Sequence, residues 1–578
     1  MKKLKKGIVL ALALCLSVAA FSGCTDADKD ADSSPSATPS ASSSATPSAS
    51  ASPTETAVQS LKEITAAKEK VKLTMVLCDA GLTAPDGIDV SDNDWVNLVK
   101  DLANVELSID QPVYADYDTK LQLRLAGGDL PDIVHCIGSS LGTAKQAALD
   151  GAFVPLTDYY NNSVNVKNVI NEEQMTWAAS SDGTWYNVPM SSLKRPAGSW
   201  INARWDLISK YNSDKWPETV PEWIDLFNKI KTEMPEALVL SNRLLNTDYA
   251  LNYGGRVIYT MYGLQSAGGD VWDFNNQKVE SEFLTPEYRA ASKVMRELYE
   301  SGTLDKEFVT TDTSQFNDKL KTKNIVANYA PSNAITLTKP NYADYPEANS
   351  HIWRMAAPLK EFPAEVRYPE VAYGTQTNGI NSHGIFISAS SKNPDRAWDV
   401  LEALASEEVL DFCIWGIEGT DFEIKDGERV PLTGRYLLDK TDPNCFNWQR
   451  QYLLIWGYDE RADYTNAVAM QEDAEFAKAQ LASIEPIVEV ASKQKKTPLS
   501  VPGFVRSETA SRKVAESKSN MSTITINYIM GKISDADFDK QIADWKETYG
   551  FIAEEQTEYI NSYDKNEAAK LGISYTLN

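Results

Sequence analysis

Apolar positions recur with two periods once residue 70 is passed. Residues 71–78, VKLTMVLC, read as a strand. Trp95, Leu98, Val99 and Leu102 fall at i, i+3, i+4 and i+7, one face of a helix over 94–103. Tyr117, Leu121 and Leu125 mark a second helical stripe, and Gly127-Gly128 stop it. Residues 132–136, DIVHC, are short and apolar enough for a buried strand. The pattern returns further on. Thr219 to Glu222 has the form of a capping box, opening a helix that points Trp223, Phe227 and Ile230 inward. Residues 286–300 place Tyr288, Ala291, Met295 and Leu298 on one face. Residues 324–329 and 384–388 read as strands, Asn393-Pro394 as the start of a helix, and from residue 473 helical patterns dominate. Strands alternating with helices predict a parallel, doubly wound α/β sheet, and the length predicts two α/β lobes rather than one core. Trp95, Trp223 and Trp398 sit on the apolar helix faces and are assigned to the core.

The first 60 residues follow no such period. Lys2, Lys3, Lys5 and Lys6 precede the apolar run 7–20, GIVLALALCLSVAA, and then Phe21-Ser22-Gly23-Cys24. A basic start, a short apolar segment and small residues before a cut describe a secretory signal over 1–23. The ending resembles a bacterial lipobox, with Phe21 where Leu or Val is usual. That resemblance implies cleavage before Cys24 and acylation of its thiol. Residues 33–57 contain only Ser, Thr, Pro and Ala apart from Glu55, and SATPSAS occurs twice. Such a segment cannot bury enough apolar surface to offset the entropy of ordering. Residues 24–60 are therefore expected to be a disordered spacer reaching about 30–40 Å from a membrane.

Composition narrows the function. With 56 basic and 81 acidic residues, the formal charge of −25 opposes phosphate backbones, so nucleic acid is not an expected partner. No apolar run reaches the ~20 residues of a spanning helix. The widely spaced His135, His351 and His383 do not suggest a His-rich metal site, and no cofactor is expected. Cys78 and Cys136 each end a predicted strand. A disulfide between them and four buried thiols, with Cys413 and Cys445, both stay open. No GxxxxGK[ST], GxSxG, HExxH or SxxK motif stands in a fitting context.

Several segments together resemble one family. Residues 125–132, LAGGDLPD, are similar to its "ASGDLPD" turn; 151–159, GAFVPLTDY, to "GAIVPLDDY"; 182–189, DGTWYNVP, to "DGKIYGIP". Residues 390–397, SSKNPDRA, resemble "SKNPERA", and 415–423, WGIEGTDFE, resemble "YGIEGVHYE". On these motifs the chain is similar to the large extracellular solute-binding lipoproteins of carbohydrate ABC importers in Gram-positive bacteria. The resemblance implies a two-lobed fold of the periplasmic-binding-protein kind (type II), with a hinge, a ligand cleft and a helical C-terminal region. It places one lobe at 70–189 and 370–425, the other at 190–369 and 426–578, and crossings near 190, 369 and 425. It implies an extracellular, lipid-anchored monomer that captures an oligosaccharide and hands it to permease subunits, without catalysis. Some relatives carry an EF-hand-like run after the helix that starts near Pro221. Residues 231–237, KTEMPEA, lack its oxygen ligands and its glycine, so no metal site is carried over.

A sugar site needs aromatic platforms and polar groups at their rims. Trp272 follows Gly268-Gly269, and Trp415 and Glu418 lie in a Gly-rich segment near the third crossing. Trp185 and Tyr186 follow an Asp-Gly turn near the first crossing, Trp448 lies beyond Asp442-Pro443, and Asp129 follows Gly127-Gly128. These seven are the expected ligand contacts, with Trp272 and Trp415 facing one sugar chain from different sides. Two other readings remain: a lipid-anchored glycoside hydrolase, since paired carboxylates are plentiful among 81 acids, and a binding protein that delivers its ligand to a sensor.

Overall fold

The computed structural model describes residues 60–79, 84–192, 199–242, 251, 253–264, 268–322, 325–331, 353–373, 379–438, 442–449, 452–457 and 462–577. The signal over 1–23, Cys24, the spacer up to residue 59 and His351 lie outside them. Among the described residues twelve strands form four sheets: β1 (Val71–Val76), β2 (Val105–Asp110), β3 (Ile133–Ile137), β4 (Asn187–Ser191), β5 (Ser199–Arg204), β6 (Asp270–Asp273), β7 (Lys278–Ser281), β8 (Ala327–Pro331), β9 (Trp353–Met355), β10 (Ile380–Ile387), β11 (Phe422–Lys425) and β12 (Glu428–Pro431).

The first sheet has the order β2-β1-β3-β10-β4. β1 is parallel to β2 and β3, as a βα repeat requires, but β10 runs antiparallel to both β3 and β4. The expected all-parallel sheet is therefore mixed: β4, reached from β3 through the helices between 139 and 178, runs parallel to the first three strands, and β10 alone arrives from far along the chain and runs against them. The helices Asp94–Ala103 and Pro394–Leu404 cover one face, burying Trp95, Val99, Ala397 and Leu401 against Leu73, Leu107 and Ile385. The other face buries Tyr117, Leu121, Phe153 and Phe386. Asn393 precedes its helix as expected, but its side chain makes no cap bond, and the fixed φ of Pro394 starts the turn instead.

The second sheet is antiparallel, β8-β5-β9. Its core holds Trp200, Trp223, Phe227, Tyr259, Tyr288 and Met295, and reaches into the C-terminal helices through Tyr528 and Phe538. Helix Val220–Glu233 starts as predicted, with Thr219 Oγ1 accepting from the Glu222 amide; the Glu222 carboxylate, however, accepts from Glu218 N, one residue before the box position. Trp95 and Trp223 are fully buried and Trp398 is 6% exposed, the assignment their helix faces gave. Among the described residues no helix is long and apolar enough to cross a membrane. Cys78, Cys136, Cys413 and Cys445 are buried, and none forms a disulfide among the described residues.

Three distant segments meet beside β4. Ser191 N donates to Ile455 O at 2.6 Å, and Ser192 N donates to Gly379 O at 2.8 Å. Gly457 has φ +93°, and a Cβ there would sit 2.1 Å from Ser191 O, so glycine alone lets the third segment lie this close. Phe446, Trp448, Tyr452, Leu453 and Ile455 pack in the core of the first sheet. The chain stays with that sheet well beyond 425: it passes close beside β4 at 455–457, and Tyr464 and Val468 of the next helix return to the same core.

Candidate functional site

The expected aromatic Trp272 lies in β6, whose hairpin with β7 is tied from both ends. Glu282, 1% exposed, accepts from Gly268 N at 2.7 Å and Gly269 N at 3.1 Å, which fixes the glycine-rich approach. Asp273 accepts from Asn275 N, Asn276 N and the Tyr368 hydroxyl at 3.0, 3.0 and 2.8 Å. Burial pushes the Asp273 carboxyl up, but these bonds and nearby Arg367 outweigh it and hold it below its ordinary value. The Trp272 ring is 2% exposed and meets Tyr575 edge-on, with 5.8 Å between centroids. Its Nε1–H is buried and makes no hydrogen bond.

That ring lines a cavity of about 220 Å³, together with Tyr262, Glu287, Arg367, Tyr368, Thr497 and Ser500. Arg367 donates to Glu287 at 3.0 and 3.1 Å and to Glu280 at 3.1 Å, so this wall is rigid and its charges are paired. The volume is below the ~300–1,000 Å³ of a complete ligand pocket, so this cavity alone would not enclose a whole ligand. A larger cavity, about 360 Å³, also touches Asp270 and is lined by Arg506, Lys518, Trp545 and Glu554.

The other expected residues fall elsewhere. Trp415 ends a helix, half-buried, edge-on to Phe422 and Tyr464, with the Arg429 guanidinium 5.5 Å from its ring centre. Glu418 is exposed in the turn that follows. Buried Asp421 holds that turn, accepting from Ile417 N at 2.9 Å and from Arg435 at 3.1 Å. Trp185 is half-buried, edge-on to Tyr160, and the Tyr186 hydroxyl donates to Asp182 at 3.2 Å. Trp448 is 2% exposed and packs edge-on to Tyr452, which itself stacks on Trp95, so it has no open face. Asp129 is exposed at a helix end: Gly128 is left-handed and the Asp129 amide donates to Arg124 O. Trp272 and Trp415 belong to separate apolar clusters.

Tyr114 stands at a position that no motif in the sequence marks. Ligands of open α/β sheets gather outside the carboxyl ends of the parallel strands. There, just after β2, Tyr114 is 49% exposed at the start of helix Tyr114–Gly127. Buried Asp79, past the end of β1, accepts from its amide at 2.7 Å, and its hydroxyl lies against Gly138 at the end of β3. The available signal was positional: an aromatic residue four places after the last residue of a strand and two places after a proline.

The profile of the bacterial extracellular solute-binding proteins matches residues 93–410, more than half of the chain, and the chain belongs to that family. Its curated relatives are distant. Lipoprotein LipO of Bacillus subtilis is 20% identical over 54% of this chain and 61% of its own length. The fructooligosaccharide ABC transporter substrate-binding protein FusA of Streptococcus pneumoniae is 24% identical over 35% of this chain and 40% of its own length. The matched parts therefore span less than two thirds of either relative. A solved structure of an HMO-binding, ABC-transporter-associated solute-binding protein from Bifidobacterium longum infantis superposes with a TM-score of 0.65, at 15% identity, covering 85% of this chain and 99% of that one. At that identity the likeness speaks for the two-lobed fold.

Proposed function

We propose that this chain captures an oligosaccharide outside the cell and delivers it to the permease of an ABC importer. Family membership carries the reading, and the sugar-related names of FusA and the Bifidobacterium protein give the ligand class. In this reading one lobe is built on the first sheet and includes residues up to about 468, the other is built on the second sheet with the C-terminal helices, and the segments at 191–192 and 379–380, with 455–457 packed against them, form the hinge. Tyr114, Trp185, Tyr186, Trp415, Glu418 and Asp129 are the exposed or half-exposed candidates for ligand contact, and Trp272 contributes through its cavity. The protein acts as a monomer, as a carrier rather than a catalyst, and releases its ligand unchanged.

Calorimetry against fructans, pectin fragments and host-type glycans tests this. Stoichiometric binding with no cleavage products by mass spectrometry is the expected result. Binding to none of these classes, or steady hydrolysis lost on changing one carboxylate, overturns it. The lipobox-like ending supports a second part of the reading, that the mature chain starts at an acylated Cys24. Cys24→Ala should then release the protein into the medium; unchanged membrane retention counts against the anchor.

A further inference from the structure

Gln174 makes bonds in two directions. It is 1% exposed, in the first turn of helix Glu172–Ala178. Its Oε1 accepts from Asn171 N at 2.9 Å, while its own amide donates to Asn171 Oδ1 at 2.9 Å, a closed capping box. The Nε2 end points away from the helix. It donates to Gly379 O at 2.5 Å and to Ser191 Oγ at 3.2 Å, reaching two of the three segments that meet beside β4. Those same two segments are otherwise linked here by Ser192 N to Gly379 O. Beyond residue 380 the pairing of β10 with β4 shifts register and resumes at Gly384. The carboxamide therefore spans the passage where the ladder is irregular.

We infer that Gln174 is a positioning residue of the hinge: its Nε2 clasps the first and second crossing segments, so that the lobes turn about a defined axis. The inference rests on the proposed two-lobed reading. A hinge tied by two backbone bonds and one buried carboxamide restricts which interlobe angles the free protein visits. Restricting the free protein lowers the ordering cost of ligand capture. A carboxamide suits the position because one of its ends accepts and the other donates. No carboxylate, alkyl or hydroxyl side chain of this reach serves both.

The two bonds can be separated by substitution. Gln174→Glu keeps the shape and the acceptor that closes the capping box, but when ionised it has no donor for Gly379 O or Ser191 Oγ. Asn171→Ala removes the cap and leaves the clasp. Hydrogen exchange of peptides covering 187–192 and 379–387, with small-angle scattering of the ligand-free protein, reads the hinge directly. Gln174→Glu should speed exchange of the Ser192 amide at least tenfold and broaden the ligand-free distance distribution, while Asn171→Ala lowers the melting temperature and changes neither. For the tightest oligosaccharide in the panel above, Gln174→Glu should also weaken binding about three- to tenfold. Hinge exchange and scattering that match the wild type overturn the clasp, as does a change shared equally with Asn171→Ala. If the wild type binds none of the panel, the proposed function fails, but exchange still decides the clasp.

Discussion

The two sheets differ in how far apart their strands lie along the chain. β1, β2 and β3 follow one another within residues 71–137, each separated by a helix. In the second sheet β5 ends at Arg204 and pairs with β8, which starts at Ala327, and with β9, which starts at Trp353. Short βα steps close small loops, whereas the second sheet needs contacts across more than a hundred residues before any pairing is gained. The strands also differ in pattern. β1 and β2 alternate buried and exposed positions over most of their length, while β5 has Trp200, Ile201 and Ala203 all fully buried and Arg204 only 3% exposed. Arg204 is admitted because Asp206, two residues on, takes its guanidinium at 2.6 and 2.9 Å.

The largest expected effect tests whether these are two cores or one. Trp223 is fully buried in the second, beside Phe227 and Trp216. Trp223→Ala should cost about 3–5 kcal/mol, through lost burial and the cavity left behind. Calorimetry should resolve a transition for the second region that moves down while that of the first stays in place. A single transition that shifts as a whole would show that both sheets unfold together, and the contrast drawn here would then concern topology only.

The next effect belongs to the first region, because His135 and His383 both lie in it. They pair across β3 and β10, Nε2 to Nδ1 at 3.0 Å. Burial first, and His383 second, hold the His135 imidazole well below its ordinary pKa. The unfolded chain therefore takes up this proton near pH 6.5 and the folded chain does not. Stability is full above about pH 6.5 and falls as the solution becomes more acidic. Urea unfolding at pH 7 and pH 5 should show the loss, and His135→Phe should flatten it. An equal acid loss in the variant would assign it to carboxylates elsewhere.

The same contrast explains what could be read in advance. The helix faces carrying Trp95, Trp223 and Trp398, the strands at β1 and β3, and the helix over 286–300 were legible because burial follows a local period there. β5 was missed because Asn202 and Arg204 break the apolar run, and the direction of β10 depends on partners far away in sequence. For the candidate site, an expected loop singled out Trp272, but the residue lies in β6 and is buried. Nothing in the glycine-rich stretch announces that Tyr575, three hundred residues later, closes one edge of the ring. Tyr114 shows the reverse: its neighbours in sequence look ordinary, and only the ends of β1 and β3 give it meaning.

Trp272 belongs to neither sheet's main core, packing instead with Trp177, Tyr368 and Tyr575. Its small expected effect therefore bears on how the regions share the ligand. Trp272→Phe keeps an aromatic ring beside Tyr575 but removes the unpaired Nε1–H together with about three non-hydrogen atoms of the buried indole. A buried donor without an acceptor costs about 1–3 kcal/mol, and its removal offsets the void left by the smaller ring, so the melting temperature should change little. If that donor meets a sugar hydroxyl, the same substitution should weaken binding by about 1–1.5 kcal/mol, roughly five- to tenfold. Trp448→Phe, in the closed core beside Tyr452, should leave affinity unchanged. Affinity lost in Trp272→Phe alone, without a fall in melting temperature, places the cavity in the ligand path. Unchanged affinity makes Trp272 a packing residue of the C-terminal layer, and moves the search for sugar contacts to Tyr114 and the strand ends of the first sheet.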